Sequence, residues 1–303
     1  MAGSFINILD FSADELRAML GRAAEGKRRL DEDRLEPSLP GRTLAMVFEK
    51  PSLRTRVSFE VAMNQLGGHA IYLAPTDIGL GKREPVKDAA RVLGRMCDGL
   101  VARVFAHETV VELASHSPVP VVNALSDRAH PCQAMADMMT VIERLGEPTG
   151  RTLAFVGDGN NVARSLAALC GRLGVRFVLA CPAGYELDAS FLASLPGAAP
   201  RICHDAREAV ADADIVYTDT WVSMGQEAQK QRRTLDFAEF QVNAELLAGA
   251  RDGAIVMHCL PAYRGCEITD DTFERHAETI LAQAENRLHF QRALLEMLLS
   301  DRG

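Results

Sequence analysis

Between residues 42 and 145, short apolar runs alternate with segments of helical periodicity; after a polar break the alternation starts again. RTLAMVF (42–48), HAIYL (69–73), GLVARVF (99–105) and VPVVNAL (119–125) are apolar runs of strand length. Between and after them, residues 56–66, 85–96, 108–116 and 131–145 carry the spacing of helices. Strands apolar on both faces and separated by helices predict a parallel sheet covered by helices on both sides. At the front, SADE (12–15) has capping-box spacing and leads into an amphipathic segment to about residue 30.

GEPTGR (146–151) is the polar Gly/Pro break. Behind it come a strand, a Gly-rich turn and a helix in TLAFVGDGNNVARSLAALCGRLG (152–174). VRFVLAC (175–181), DADIVYTDTW (212–221) and GAIVMHCLP (253–261) are the next strands, and a long helix from about 282 to 299 closes the chain. For 303 residues this predicts two doubly wound α/β domains, 1–145 and 146–303, with the last helix returning to the first domain. A cleft between two such domains is the expected place for ligands, which bind at the carboxyl ends of parallel strands.

Charge narrows the ligand class. The chain has 33 Lys plus Arg against 41 Asp plus Glu, a formal net charge of −8, which argues against a nucleic-acid binder. The seven Cys include no CxxC pair, so neither a disulfide framework nor a zinc knuckle is predicted. No signal-peptide pattern or apolar run of spanning length occurs, so no membrane partner and a cytoplasmic location are expected.

Five motifs fall at predicted strand ends. FEKPSLRTRVSFE (48–60) places Ser52, Arg54 and Thr55 where a strand hands over to a helix. Unpaired N–H groups and the helix dipole make that point an anion site, and hydroxyl and guanidinium donors suit phosphate oxygens. Helix capping explains one hydroxyl of the group. In ALSDRAHPCQAMADMM (124–139), His130 and Gln133 project from a first helical turn, as donors to a carbonyl oxygen or as capping and core residues. VGDGNNV (156–162) lacks GxGxxG and gives little support to a nicotinamide cofactor; its two Asn are candidate ligand groups, and turn chemistry accounts for one. YTDTWVSMGQE (217–227) offers Asp219, a ligand carboxylate or a turn residue, and the single Trp as an anchor for the loop that follows. In HCLPAYRGCE (258–267), Cys259 is a cleft thiol or a small buried hydrophobe, and neighbouring His258 points to the opposite face.

In this order the motifs resemble those of the aspartate/ornithine carbamoyltransferase family over nearly the whole chain. The SMG segment and the Cys of HCLP resemble the ornithine branch. The resemblance implies transfer of the carbamoyl group of carbamoyl phosphate to the δ-amine of L-ornithine, giving citrulline and phosphate. N-acetylornithine and putrescine are the alternative acceptors, and a non-catalytic paralogue is the alternative to an enzyme. It also implies that Ser52, Leu53 (through its N–H), Arg54, Thr55, Arg103, His130, Gln133, Cys259, Leu260 and Arg287 bind carbamoyl phosphate. Asn161, Asp219, Ser223 and Met224 would bind ornithine, with Arg54, His130, Asp219 and Cys259 as the catalytic set. Arg56 is read as a brace of its loop. No cofactor or metal is implied, and the assembly would be a homotrimer or a multiple of one. Two departures stand out: Leu53, where most relatives carry Thr, and Gly79, where many carry a Gln that reaches a neighbouring subunit's phosphate. Either Lys82 or a backbone N–H substitutes for that Gln, or the contact is absent.

Overall fold

Two parallel sheets, each flanked by helices, carry the chain in a computed structural model that describes residues 3–81, 83–222 and 227–300. Each sheet is the centre of its own compact unit, one running to Met139 and resuming at Glu285, the other Thr140–Ala284.

In the first unit the strands are β1 (Thr43–Phe48), β2 (His69–Leu73), β3 (Gly99–Arg103) and β4 (Val121–Leu125), in spatial order β2-β1-β3-β4 and all parallel. The connecting helices are α2 (Leu53–Gln65), α3 (Pro75–Ile78), α4 (Val86–Met96) and α5 (His107–His116), preceded by α1 (Ala13–Asp31). Ser12 and Glu15 cap α1 reciprocally, as the SADE spacing predicts. The free edge of β4 is covered by the start of the chain: Phe5 N–H donates to the Val121 carbonyl at 2.9 Å and Asn123 N–H to the Phe5 carbonyl at 2.8 Å. β1 and β3 are buried along nearly their whole length, which is why they read as continuous apolar runs.

The second unit has β5 (Thr152–Val156), β6 (Arg176–Ala180), β7 (Arg201–Cys203), β8 (Ile215–Thr218) and β9 (Ile255–His258), ordered β7-β6-β5-β8-β9 and again all parallel. Helix α6 (Pro131–Leu145) precedes it. Within it lie α7 (Asn161–Leu173), α8 (Ala189–Ser194), α9 (Ala206–Val210), α10 (Lys230–Asp236) and α11 (Ala244–Leu247), and α12 (Asp270–Leu299) follows. Strand β7 has no counterpart in the sequence reading: three residues at a sheet edge are too short to show a period. Helix α2 starts three residues earlier than expected because Ser52 caps it, and α12 starts at Asp270 rather than about 282. Its added turns open on Asp270 and Asp271, acidic residues suited to a helix start but carrying little apolar pattern. The final residues of α12, from Glu285, belong to the first unit. Among the described residues no helix is long and apolar enough to cross a membrane.

Both sheets reverse their winding at one place. In the first unit the chain runs outward in opposite directions from the β1/β3 pair, and in the second from β5/β8. The crevice at the carboxyl ends of such a pair is where open parallel sheets bind ligands. Of the five motifs, those past β1, β5 and β8 stand at these two pairs; the other two stand past β4 and β9.

Gly159, in the turn past β5, has no room for a side chain. A Cβ there would lie 2.7 Å from the Glu186 carbonyl carbon and 2.8 Å from Leu187 N, both backbone atoms. Gly159→Ala is therefore expected to lower stability by about 1–3 kcal/mol. The check is the urea midpoint, which should fall without a change in slope.

Candidate active site

Past β1, Ser52 is the N-cap of α2. Its Oγ accepts the Thr55 N–H at 3.3 Å and donates to Thr55 Oγ1 at 3.0 Å. Thr55 Oγ1 also accepts Arg287 Nη2 at 2.7 Å, although the two residues lie 232 positions apart. With both of those bonds received, the Thr55 hydroxyl proton is directed to a further acceptor. Leu53, the first residue of α2, leaves its side chain 75% exposed, so what it offers at the helix start is its backbone N–H. Arg56 points elsewhere: it pairs with Glu60 at 2.9 Å and lies over the Tyr72 ring at 4.2 Å, so it braces the helix against β2.

Arg103 ends β3, opposite Phe48 in the β1 register. It is buried, its Nε has no hydrogen-bond partner among the described residues, and it has no ion pair there. Burial, then the guanidinium groups of Arg287 and Arg54, push its pKa down. A guanidinium stays charged under these conditions, so the cost is expressed as affinity for an anion.

His130, just before α6, is buried. Desolvation, then the charges of Arg287, Arg103 and Lys50, hold its imidazole well below the ordinary 6.5. It is therefore neutral and can donate one N–H without adding charge. Gln133, one turn into α6, donates its Nε2 to Asp137 Oδ1 at 2.8 Å. That bond fixes the amide orientation and leaves the buried Oε1 without a partner among the described residues. Gln133 thus presents an acceptor, which suits an –NH2 group.

The second unit gathers a carboxylate and a thiol. Asp219, immediately past β8, accepts three donors: Cys259 Sγ at 3.0 Å and Thr220 N–H at 2.7 Å on Oδ1, and Asn160 Nδ2 at 2.8 Å on Oδ2. Asn160 also caps α7, its Oδ1 accepting the N–H groups of Val162 and Ala163. Of the two Asn in GDGNN, Asn160 is thus taken up by turn chemistry and by orienting Asp219, whereas Asn161 stands half-buried at the first position of α7. Sequence reasoning did not assign Asn160 this second task; the only signal for it was an N-cap residue beside a strand-end Asp. Trp221 is buried with its ring stacked on Phe237 at 5.9 Å between centroids. Arg233, also buried, ties the Trp221 carbonyl (2.9 Å) to the Asp158 carboxylate (2.8 Å). Ser223, Met224 and Lys82 lie outside the described residues.

Behind Cys259, His258 turns inward. Its Nδ1 accepts the Leu260 N–H at 2.8 Å, which leaves the proton on Nε2, 3.0 Å from Glu267 Oε1. Gln283 Oε1 accepts the His258 N–H at 2.8 Å, and Glu267 also accepts the Tyr263 N–H at 2.6 Å. Leu260 takes a left-handed backbone, φ 59°. These bonds shape the turn that carries Cys259 and Leu260. Asp219, His258 and Cys259 place donor atoms within 4.8 Å of one another, the one group of metal-ligand type among the described residues. With both His258 nitrogens engaged in protein hydrogen bonds, the cluster is self-satisfied. Gly79 ends α3 with φ 54°, and a Cβ there would come 3.1 Å from Arg83 Cβ.

Of the predicted residues, Ser52, Leu53, Arg54, Thr55, Arg103, His130, Gln133 and Arg287 belong to the first unit. There Thr55 links Ser52 to Arg287, and Arg103 feels the charges of Arg54 and Arg287. Asn161, Asp219, Cys259 and Leu260 belong to the second, where Asp219 and Cys259 are in contact. What the first group can do chemically is hold a dianion and direct donors at a carbonyl; the second can hold a cationic amine.

Comparison with known proteins follows the same division. Residues 4–143 match the family described as aspartate/ornithine carbamoyltransferase, carbamoyl-P binding domain, and residues 149–298 match its Asp/Orn binding domain. The chain is 48% identical over 300 residues to the ornithine carbamoyltransferase of Campylobacter curvus, covering 97% of this chain and 98% of that one. It is 48% identical over 295 residues to the anabolic ornithine carbamoyltransferase of Pseudomonas aeruginosa, covering 97% and 96%. Among solved structures, the ornithine carbamoyltransferase of Pyrococcus furiosus aligns with a TM-score of 0.94 at 44% identity, covering 100% of this chain and 98% of that one.

A neutral His130 has a direct test. Below about pH 6.5 the unfolded chain binds a proton that the native imidazole refuses, so stability falls as pH drops through that range. In histidine-resolved NMR, His130 is expected to stay neutral through the range in which an ordinary imidazole titrates. A midpoint near 6.5 would contradict the account.

Proposed function

The chain belongs to the aspartate/ornithine carbamoyltransferase family, and from that premise we propose that it transfers the carbamoyl group of carbamoyl phosphate to the δ-amine of L-ornithine. The observation that carries this reading is the cation and hydroxyl cluster past β1 and β3, paired in the same chain with a carboxylate–thiol site past β8.

Ser52, Leu53 N–H, Arg54, Thr55, Arg103 and Arg287 take the phosphate, as a dianion without a metal would require. His130, Arg54 and Thr55 donate to the carbonyl oxygen, and Gln133 Oε1 accepts from the carbamoyl nitrogen. Asp219 and Cys259 receive the δ-ammonium of ornithine, whose Lys-like pKa of about 10.4 keeps it protonated in water. As the ammonium pairs with Asp219, the Cys259 thiol gives its proton to solvent, and the thiolate then takes one proton from the ammonium and frees the amine lone pair. The amine lone pair then forms the new C–N bond and the carbonyl π pair moves to oxygen. The donors around that oxygen stabilise it because they are set before the reaction begins. Collapse breaks the C–O bond to phosphate, which departs with the electron pair and takes up the amine proton. Asn161, Ser223 and Met224 are assigned to the amino-acid end of ornithine, and Cys259 and Leu260 to the carbamoyl side as well. The side-chain exposure of Leu53 supports its acting through the N–H alone, so the departure from Thr leaves the phosphate site complete.

We assign the reaction to arginine biosynthesis, in line with the designation of the Pseudomonas relative as anabolic. Seven free cysteines, one of them at the site, suit a reducing cytoplasm. Self-association as a homotrimer is supported by an exposed apolar row, Leu53, Val57 and Val61 at helical spacing on α2, beside exposed Ile71 on the edge strand β2.

Citrulline formation from carbamoyl phosphate is expected with ornithine well above N-acetylornithine or putrescine as acceptor; preference for either of those would overturn the acceptor assignment. Arg54→Ala should lower kcat/KM by about 10²–10³-fold through loss of a preset oxyanion donor. Cys259→Ala should cost about tenfold or more through the amine. Rates within twofold of the unaltered protein in both would refute the residue roles. Light scattering should give the mass of three chains or a multiple, and Val57→Glu should lower it; a monomer mass would refute the trimer.

A further inference from the structure

Arg292, on the last part of α12, is the largest fully buried side chain among the described residues, only 2% exposed. Its surroundings are poor for a cation. Nη1 donates to Gln65 Oε1, a neutral amide, at 2.9 Å, and Nη2 is buried without a hydrogen-bond partner. Asp31 of α1 and Glu296 of α12 attract it, but burial outweighs both and lowers its pKa. A second cost lies in α1. Gly26 stands in the interior of that helix, where glycine is less favourable than alanine. A Cβ there would come 3.2 Å from Arg292 Nη2. Lys27, beside Gly26, ties α1 to α12 by donating to Asn286 Oδ1 at 2.8 Å, so the close approach is fixed. An under-partnered buried cation and a glycine inside a helix are thus both retained, and together they set one guanidinium against Gln65.

Gln65 is the last residue of α2, the helix that Ser52 caps and whose first turn carries Leu53, Arg54 and Thr55. Near the start of α2, Thr55 Oγ1 accepts Arg287 Nη2 at 2.7 Å, and Arg287 also comes from α12. One helix therefore grips α2 by two arginines, one near its start and one at its finish. We propose that Arg292 is a positioning residue for carbamoyl phosphate: by holding the far end of α2, it fixes the direction in which the helix start presents its N–H groups, hydroxyls and Arg54. This rests on the carbamoyl phosphate reading of that helix start. The buried Phe59, Ala62 and Met63 hold α2 to the unit by contacts that have no direction, so directional bonds such as these two set its axis. With the Arg287 bond alone, α2 can pivot about Thr55, and the groups on either side of Thr55 leave the phosphate oxygens. Binding groups tolerate a displacement of only about 0.5 Å before they lose effect. A buried charge, by contrast, is weak support for stability, and an apolar chain of similar volume in its place is often neutral or stabilising. Binding and stability should therefore respond to Arg292 in different directions, which a packing role would not produce.

The test sets calorimetric titration of carbamoyl phosphate into the ornithine-free protein beside urea unfolding and citrulline kinetics. In Arg292→Met, Kd for carbamoyl phosphate should rise about tenfold, the scale of one charge-assisted hydrogen bond at the ligand. KM for ornithine at saturating carbamoyl phosphate should stay within about twofold, because that site lies in the second unit. The urea midpoint should be level or higher. Arg292→Lys keeps a donor for Gln65 and should recover most of the affinity. Gln65→Met removes the acceptor and should raise Kd by a similar factor, and the double variant should be no worse than either single one. A Kd within about twofold of the unaltered protein in Arg292→Met overturns the proposal, and so does an equal rise in Kd and in KM for ornithine. If Arg292→Met does not fold, Gln65→Met decides by the same two criteria. If the unaltered protein makes citrulline while these results go against Arg292, the carbamoyl phosphate reading stands and only the positioning role falls. If the unaltered protein neither binds carbamoyl phosphate nor makes citrulline, both fall together.

Discussion

Positive charge buried where β1 and β3 end is the constraint around which the first unit is arranged. Removing a guanidinium or ammonium from water costs several kcal/mol unless a counter-charge is supplied. Arg103 is buried and has none among the described residues. The register that sets Phe48 against Arg103 brings the end of β3 to the start of the α2 turn, and the last part of α12 brings Arg287 onto Thr55. The rest of that unit is apolar enough to support the cost: β1, β3 and β4 are buried along nearly their whole length and a cluster of Val, Leu and Ala packs against them. An anion that enters repays a penalty the fold already carries. Such a cluster favours an anion even in a protein with a net charge of −8.

The second unit solves the opposite problem. Asp219 is a buried carboxylate with three donors in place, and those donors are themselves fixed: Asn160 by the α7 cap, Thr220 N–H by the strand end, and Cys259 by the turn that His258 shapes. Nothing in that arrangement calls for an anion. It is a hydrogen-bonded carboxylate without a cationic partner among those donors, suited to a cation. One chain therefore holds two strand-end sites of complementary charge, which is what joining an anionic donor to a cationic acceptor requires.

Much of this was legible beforehand. Apolar runs marked eight of the nine strands among the described residues, and for all but the edge strand β2 the reason is burial on both faces, which leaves no polar alternation. Ser12 and Ser52 announced two helix starts by chemistry that operates within three residues. Among the features that were not legible, three have a definite reason. The edge strand Arg201–Cys203 is too short for periodicity. The first turns of Asp270–Leu299 are polar on most sides and so carry little pattern. The second task of Asn160 depends on Asp219, 59 residues later, which no local window can contain.

By itself, then, the sequence determined the alternation of strands and helices, the division into two α/β units, and which residues stand at strand ends. These depend on burial pattern and on capping between near neighbours. The tertiary structure decided what those residues do to one another. It made His130 neutral by burying it, with cations nearby adding to the effect, and turned Gln133 into an acceptor by giving its amide nitrogen to Asp137. It also set Arg56 against Glu60 while leaving Arg54 with Arg103 and Arg287. Charge, desolvation and hydrogen-bond direction act over distances in space, and for Thr55 and Arg287 that distance is a single bond across 232 positions of chain.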